Sequence, residues 1–300
     1  MRETTEYWSP NAKLLADRAL NRNKGGTGKV DILLFEISTL EGAKFLEKEL
    51  STATGTSPHF SSSTHPKIGV LNFASATKPG GGFLGGASAQ EESIARSSTL
   101  YYSLTTRIGE EFYNLHKRLK SKGKLGKGRN RDAGEEEDTD EEEDRRRDST
   151  FYTHAMIYSP SVLLFRNDAG TWLPPTMVDI LTSAAVNAGD VRAKHRAKNM
   201  DQSDQDALER RIKEEMKERM ARILHLFTLK GVRNLVLGSF GTGVFRNNVG
   251  TVAGLWKELL VGSNAPFHGS FDKVVFAVLG RETYETFQKT LKLNAGQCRN

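Results

Sequence analysis

Apolar residues along this chain fall into short continuous runs, separated by stretches in which they recur every three or four positions. The runs Val30–Ile37 (VDILLFEI), Ile68–Phe73, Met177–Val186 (MVDILTSAAV), Asn234–Ser239 (NLVLGS) and Lys273–Leu279 (KVVFAVL) predict strands. A strand covered on both faces needs no polar alternation. The periodic stretches predict helices over residues 1–23, Leu40–Leu50, Ser93–Leu119, Ser203–Leu229, Asn248–Leu260 and Arg281–Leu291. In the first, Leu14, Leu15, Ala19 and Leu20 share a side; in the third, Ile94, Leu100, Leu104, Ile108 and Phe112 are the buried positions. In the longest, Leu208, Ile212, Met216, Met220, Ile223, Leu224 and Phe227 form the apolar stripe, so its methionines read as core. Ser51–Pro66 reads as a loop, and Asn167-Asp168-Ala169-Gly170, between Phe165 and Trp172, as a turn.

Apolar strands alternating with helices imply an α/β domain with a central, largely parallel sheet. Composition changes this picture in one place. Residues 117–131 are rich in Lys, Arg and Gly, 135–144 is nearly all Glu and Asp, and Arg145-Arg146-Arg147 follows. A segment this poor in apolar side chains cannot offset its ordering entropy. Residues 117–148 are therefore expected to be a disordered insertion within a single domain spanning 1–300; its basic part alternatively suits nuclear import or a partner. Overall, 37% of the 300 residues are hydrophobic, which leaves material for one sizeable core outside the insertion.

The net charge of +6 favours anionic partners only weakly, and no basic patch interleaved with aromatics marks a direct nucleic-acid site. The single cysteine, Cys298, excludes an internal disulfide framework and a cysteine zinc site. No apolar stretch approaches a membrane span and the N-terminus lacks a signal-peptide core, so the expected setting is intracellular, nuclear or cytoplasmic. The seven histidines show neither HExxH nor paired-ligand spacing, and neither a metal nor another cofactor is expected.

Two glycine loops carry the candidate chemistry. Gly80–Gly86 follows the strand ending at Phe73, and Gly238–Phe245 follows the strand NLVLGS. In a parallel sheet both loops lie beyond strand carboxyl ends, so they can share one cleft. Glycine lets backbone approach a ligand closely, and backbone amides in such loops point at anions. Neither loop matches a P-loop or GxGxxG. Each alone is most simply a turn; together they suit a diphosphate. Gln90-Glu91-Glu92 stands after the first loop at a predicted helix start. Acids there can serve only the helix dipole. Adjacent helical residues point about 100° apart, so the pair does not flank one bond from opposite faces; one acid can protonate a leaving oxygen while the other holds a hydroxyl.

Gly80-Gly81-Gly82, seven residues, then Gln90-Glu91-Glu92 resembles the signature of poly(ADP-ribose) glycohydrolases, and LNFASATKPGGGFLGGASAQEES resembles their microbial-type branch. LTSAAVNAGDVRA, LVLGSFGTGVFRN and KVVFAVL are similar to later segments of that branch. The resemblance implies a three-layer α/β/α macrodomain with extra helices, acting as a monomer on poly(ADP-ribose) or ADP-ribosylated proteins and releasing ADP-ribose. It implies that Glu92 is the general acid/base for the ribose–ribose O-glycosidic bond, with its pKa raised by partial burial, and that Glu91 binds ribose hydroxyls. Gly80, Gly81 and Gly82 would line the distal ribose and diphosphate, Gln90 the site itself. Gly241, Thr242, Gly243, Val244 and Phe245 would wrap the diphosphate, with Phe245 on the distal ribose. Asn72 and Ser75 stand where macrodomains carry two asparagines, so Ser75 departs from the pattern; Thr242 replaces a common cysteine. Phe276 is the candidate for the adenine pocket. Three alternatives remain: a macrodomain that binds ADP-ribose without cutting it, a hydrolase of mono-ADP-ribosylated protein or O-acetyl-ADP-ribose, and a nucleic-acid-binding protein using the basic run.

Overall fold

The computed structural model describes residues 4–13, 30–54, 66–125, 150–196 and 201–299. They form an eight-stranded mixed sheet with helices on both faces. The strands are β1 (Glu6–Trp8), β2 (Asp31–Phe35), β3 (Ile68–Phe73), β4 (Met156–Arg166), β5 (Trp172–Ser183), β6 (Asn234–Leu237), β7 (Lys273–Ala277) and β8 (Cys298–Arg299). The helices are α1 (Thr39–Thr54), α2 (Gln90–Ser97), α3 (Leu100–Leu104), α4 (Arg107–Leu125), α5 (Ala188–Arg196), α6 (Gln202–Leu229), α7 (Val249–Leu260) and α8 (Arg281–Leu291). The sheet order is β1-β4-β5-β3-β6-β7-β2-β8. From β5 to β8 every pairing is parallel, and β4 is antiparallel to both β5 and β1.

Alternation along each strand feeds two cores. Leu71, Leu235, Leu237, Val274 and Phe276 pack under α6, α7 and α8. Their neighbours Val70, Val236 and Val275 face the opposite side, under α1, α2, α3 and α4. This explains why the runs look continuously apolar. The predicted stripe of α6 is buried throughout. Asp201 caps its start by accepting from the Asp204 N–H, and Gly231, with φ +69°, turns the chain away after its end.

Several expectations need correction. The predicted helix over Ser93–Leu119 is three helices, broken at Ser98–Thr99 and Thr105–Thr106, and Ile108 is 42% exposed rather than buried. The predicted disordered insertion begins too early, because α4 runs on through Lys117 to Leu125; the rest of it lies outside the described residues. The predicted N-terminal helix, Leu14, Leu15, Ala19 and Leu20 included, also lies outside them, and the short strand β1 precedes it. α1 continues to Thr54, into the expected loop. The strand expected over 177–186 starts earlier, at Trp172, and stops at Ser183. It pairs antiparallel with β4 around the Asn167–Gly170 turn.

Candidate active site

All parallel strands point the same way, so the segments after β2, β3, β5, β6 and β7 meet along one edge. They enclose a cleft of about 700 Å³. Ser75, Gly81, Gly82, Gln90, Glu91 and Glu92 line one wall, and Gly241, Thr242, Gly243, Val244 and Phe245 the other. Two loops far apart in sequence thus face each other, as strand-end placement predicts.

Gln90 fastens the first wall. Its Oε1 accepts the Phe73 N–H at 2.8 Å, while its Nε2 donates to the Leu71 carbonyl at 2.7 Å and Thr39 Oγ1 at 3.2 Å. Its amide is spent on tying the start of α2 to the end of β3, although the residue borders the cleft. Glu91 follows, 3% exposed. Its Oε2 accepts the Ser75 N–H at 2.6 Å and its Oε1 accepts from Asn72 Nδ2 at 3.3 Å. Asn72 also reaches Thr182 Oγ1, at 3.2 Å, and is completely buried behind Glu91. Burial pushes the Glu91 carboxyl up to about 8 against these hydrogen bonds, with the nearby Glu92 adding to the rise. Glu91, the residue expected only to bind hydroxyls, is thus a buried acid with a raised pKa.

Glu92 stands half-buried at the cleft surface, its Oε1 accepting the Gly82 N–H at 2.9 Å. Divergence of adjacent helical residues does not keep the two carboxyls apart. Both reach the same glycine: a Cβ on Gly81 would fall 2.2 Å from Glu92 Oε1 and 3.1 Å from Glu91 Oε2. Gly81 also has φ +62°, which favours glycine independently of the space. Gly80 is buried below the loop against Phe83 and Ala95, outside the cleft lining.

The second wall is fixed by side chains that hold its carbonyls. Asn247 Nδ2 donates to the Val186 and Gly241 carbonyls at 2.8 and 2.9 Å, and Trp256 Nε1 to the Gly238 carbonyl at 3.0 Å. Gly241, at φ +75°, lies so close to Ala185 that a Cβ would come within 2.4 Å of it. Thr242 Oγ1 turns inward to the Ser239 carbonyl, and Phe245 packs on Tyr152 with ring centroids 5.6 Å apart. Among the described residues, the N–H groups of Gly241, Gly243, Val244 and Phe245 have no acceptor. A row of free amides in a fixed loop attracts phosphate.

Phe276 is not in the cleft. It is fully buried between Trp256 and Phe287 on the far side of β7. The lining also takes Ile37, Ser38 and Thr39 after β2, Ala277 and Leu279 after β7, and Asp168 from the β4–β5 turn, which accepts from the Ser93 hydroxyl. The first two groups were within reach of sequence reasoning, because every parallel strand ends on this edge. Asp168 carried no such signal. Among the described residues no cluster of His, Cys, Asp and Glu could hold a metal ion, and no helix is long and apolar enough to cross a membrane.

A family model described as the microbial-type PARG catalytic domain matches residues 1–167. No curated protein matches the chain. Among solved structures, poly(ADP-ribose) glycohydrolase from Deinococcus radiodurans in complex with ADP-ribose is 32% identical. The match covers 97% of this chain and 96% of that one, with a TM-score of 0.72. The glycohydrolase from Thermomonospora curvata is 32% identical, covering 95% of this chain and 85% of that one at a TM-score of 0.70. Its complex with the inhibitor ADP-HPD matches at 32% identity, 95% and 84% coverage and a TM-score of 0.67. With its α/β/α layering and its cleft between two strand-end glycine loops, the chain belongs to the microbial-type poly(ADP-ribose) glycohydrolase family.

Proposed function

We propose that this chain hydrolyses the ribose–ribose O-glycosidic bonds of poly(ADP-ribose) and releases ADP-ribose, with Glu92 as general acid and then general base. The observation that carries the reading is the pairing of a cleft-facing Glu92 with a row of free amides on the opposite wall. One ADP-ribose unit lies between the loops. Its diphosphate accepts from the amides of Gly241, Gly243, Val244 and Phe245, and its distal ribose rests on Gly81 and Gly82, beside Glu92 and Phe245.

Glu92 gives its proton to the bridging oxygen as the bond from that oxygen to the distal ribose breaks. The sugar left behind has oxocarbenium character, and the neighbouring unit departs with a free hydroxyl. Water then adds to the sugar carbon and returns a proton to Glu92, so the enzyme ends as it began. Glu91 supports this twice. Held near a pKa of 8 by burial, it stays neutral at pH 7 and brings no full charge of its own into the site. Its protonated carboxyl can hold a ribose hydroxyl. Asn72 and the Ser75 N–H fix its position. The same reading takes residues 1–300 as one catalytic domain, acting as a monomer inside the cell, in the nucleus, the cytoplasm or both.

The test is a substrate comparison on purified protein. Release of ADP-ribose from poly(ADP-ribose), faster than from mono-ADP-ribosylated protein or O-acetyl-ADP-ribose, is expected. Tight ADP-ribose binding in calorimetry with no turnover of any of the three would show a binding module instead.

A further inference from the structure

Beyond the cleft, on the other side of the Gly80–Gly82 loop, lies a second hollow of about 630 Å³. Thr77, Lys78 and Gly81 line both spaces, so the two adjoin at this loop. Its far wall is the end of α4, where Lys117 and Lys120 stand one turn apart on the same face. Tyr101, braced edge-on by Phe83 at 4.7 Å, supplies an aromatic wall. Among the described residues no carboxylate lines the hollow. The ammonium groups of Lys78, Lys117 and Lys120 form no ion pair among the described residues. Three cations around one concavity, without an ion pair among the described residues, create a local positive field there.

We propose that this hollow binds the neighbouring ADP-ribose unit of the polymer, on the leaving side of the bond, with its diphosphate on Lys78, Lys117 and Lys120. The inference rests on the function proposed above and names where the rest of its substrate goes. Gly81, where a Cβ would lie 2.2 Å from Glu92 Oε1, lines both the cleft and the hollow. A chain whose terminal unit fills the cleft passes Glu92 at the scissile bond and next meets this basic space. The lysines therefore act on polymer and not on a single ADP-ribose, which ends at the cleft. They separate polymer from mono-ADP-ribosyl substrates, whose leaving side carries no diphosphate.

The test uses the full chain carrying Glu92→Gln, so that polymer stays uncut, with and without Lys117→Ala and Lys120→Ala together. The probes are poly(ADP-ribose), ADP-ribose and single-stranded DNA of matched charge. Removing the two lysines is expected to weaken polymer binding about tenfold and to flatten its salt dependence. The affinity for ADP-ribose should stay unchanged, and Lys117→Arg with Lys120→Arg should keep polymer binding. In the active protein the alanine pair should raise KM for polymer with little change in kcat. The inference is overturned if polymer binding is unaffected, if ADP-ribose binding falls in parallel, or if DNA binds through the same lysines as tightly as polymer. A wild-type protein that binds polymer through these lysines yet releases no ADP-ribose would refute the proposed reaction and leave the subsite standing.

Discussion

Glu91→Gln keeps the shape of a buried acid and removes its proton equilibrium, which makes it a clean probe of the site's electrostatics. Burial holds the Glu91 carboxyl near 8, against 4.5 in the unfolded chain. Between those values the folded protein keeps a proton that the unfolded chain has released. Stability must therefore fall as pH rises through the window, by up to about 1.4 kcal/mol per pH unit and about 5 kcal/mol in total. Buried His116 and His154, both lowered to about 4, act in the opposite sense below pH 6.5, where the unfolded chain takes up protons that they do not. The unobstructed range is thus pH 6.5–8, in which Glu91 alone should cost about 2 kcal/mol, or about 4 °C in Tm for a chain of this size. Thermal and urea unfolding of wild type and Glu91→Gln across pH 5–8.5 reads this directly. The variant should gain on wild type steadily from pH 6.5 to 8. A difference that stays flat over that range would show that Glu91 is not a neutral buried acid.

Three further outcomes follow from the same geometry. Gly81→Ala places a methyl where Glu92 Oε1 now lies and forces an L side chain to φ +62°, so kcat should drop on the order of 10²-fold, read by initial rates on polymer. Asn247→Ala releases the second loop from Val186 and Gly241; ADP-ribose affinity measured by calorimetry should weaken, and stability should fall by about 1–2 kcal/mol. Arg219→Leu removes a fully buried guanidinium that donates to the Ala184 and Phe151 carbonyls, and should destabilise the fold by about 3 kcal/mol in urea titrations.

Much of the site was legible in the sequence because strand direction alone brings the two glycine loops to one edge. Ile68–Phe73 has the predicted bounds, and the loop after it begins where glycine replaces side chains. The antiparallel arm was hidden because Pro160 lacks an N–H and interrupts the apolar residues on either side of it. In the structure the register shifts there, Ser161 takes φ +55°, and Asp179 Oδ1 accepts its N–H at 2.9 Å, so β4 continues through. Arg219 was hidden for another reason. A charge on an amphipathic helix reads as solvent-facing, and the carbonyls after β5 and before β4 that accept from it help make its burial tolerable. The unequal burial of Glu91 and Glu92 had no signal in the sequence, because it depends on which carboxyl lies under the Asn72 and Ser75 contacts and which stands in the cleft.

The central claim is that Glu92 moves the proton in a glycosidic hydrolysis, and Glu92→Gln tests it most directly. Release of ADP-ribose from poly(ADP-ribose) and the Kd for ADP-ribose are measured on the same preparation of wild type and variant. Turnover should fall by about 10²–10⁴-fold with ADP-ribose still bound. Turnover at the wild-type rate by a folded Glu92→Gln protein would contradict it.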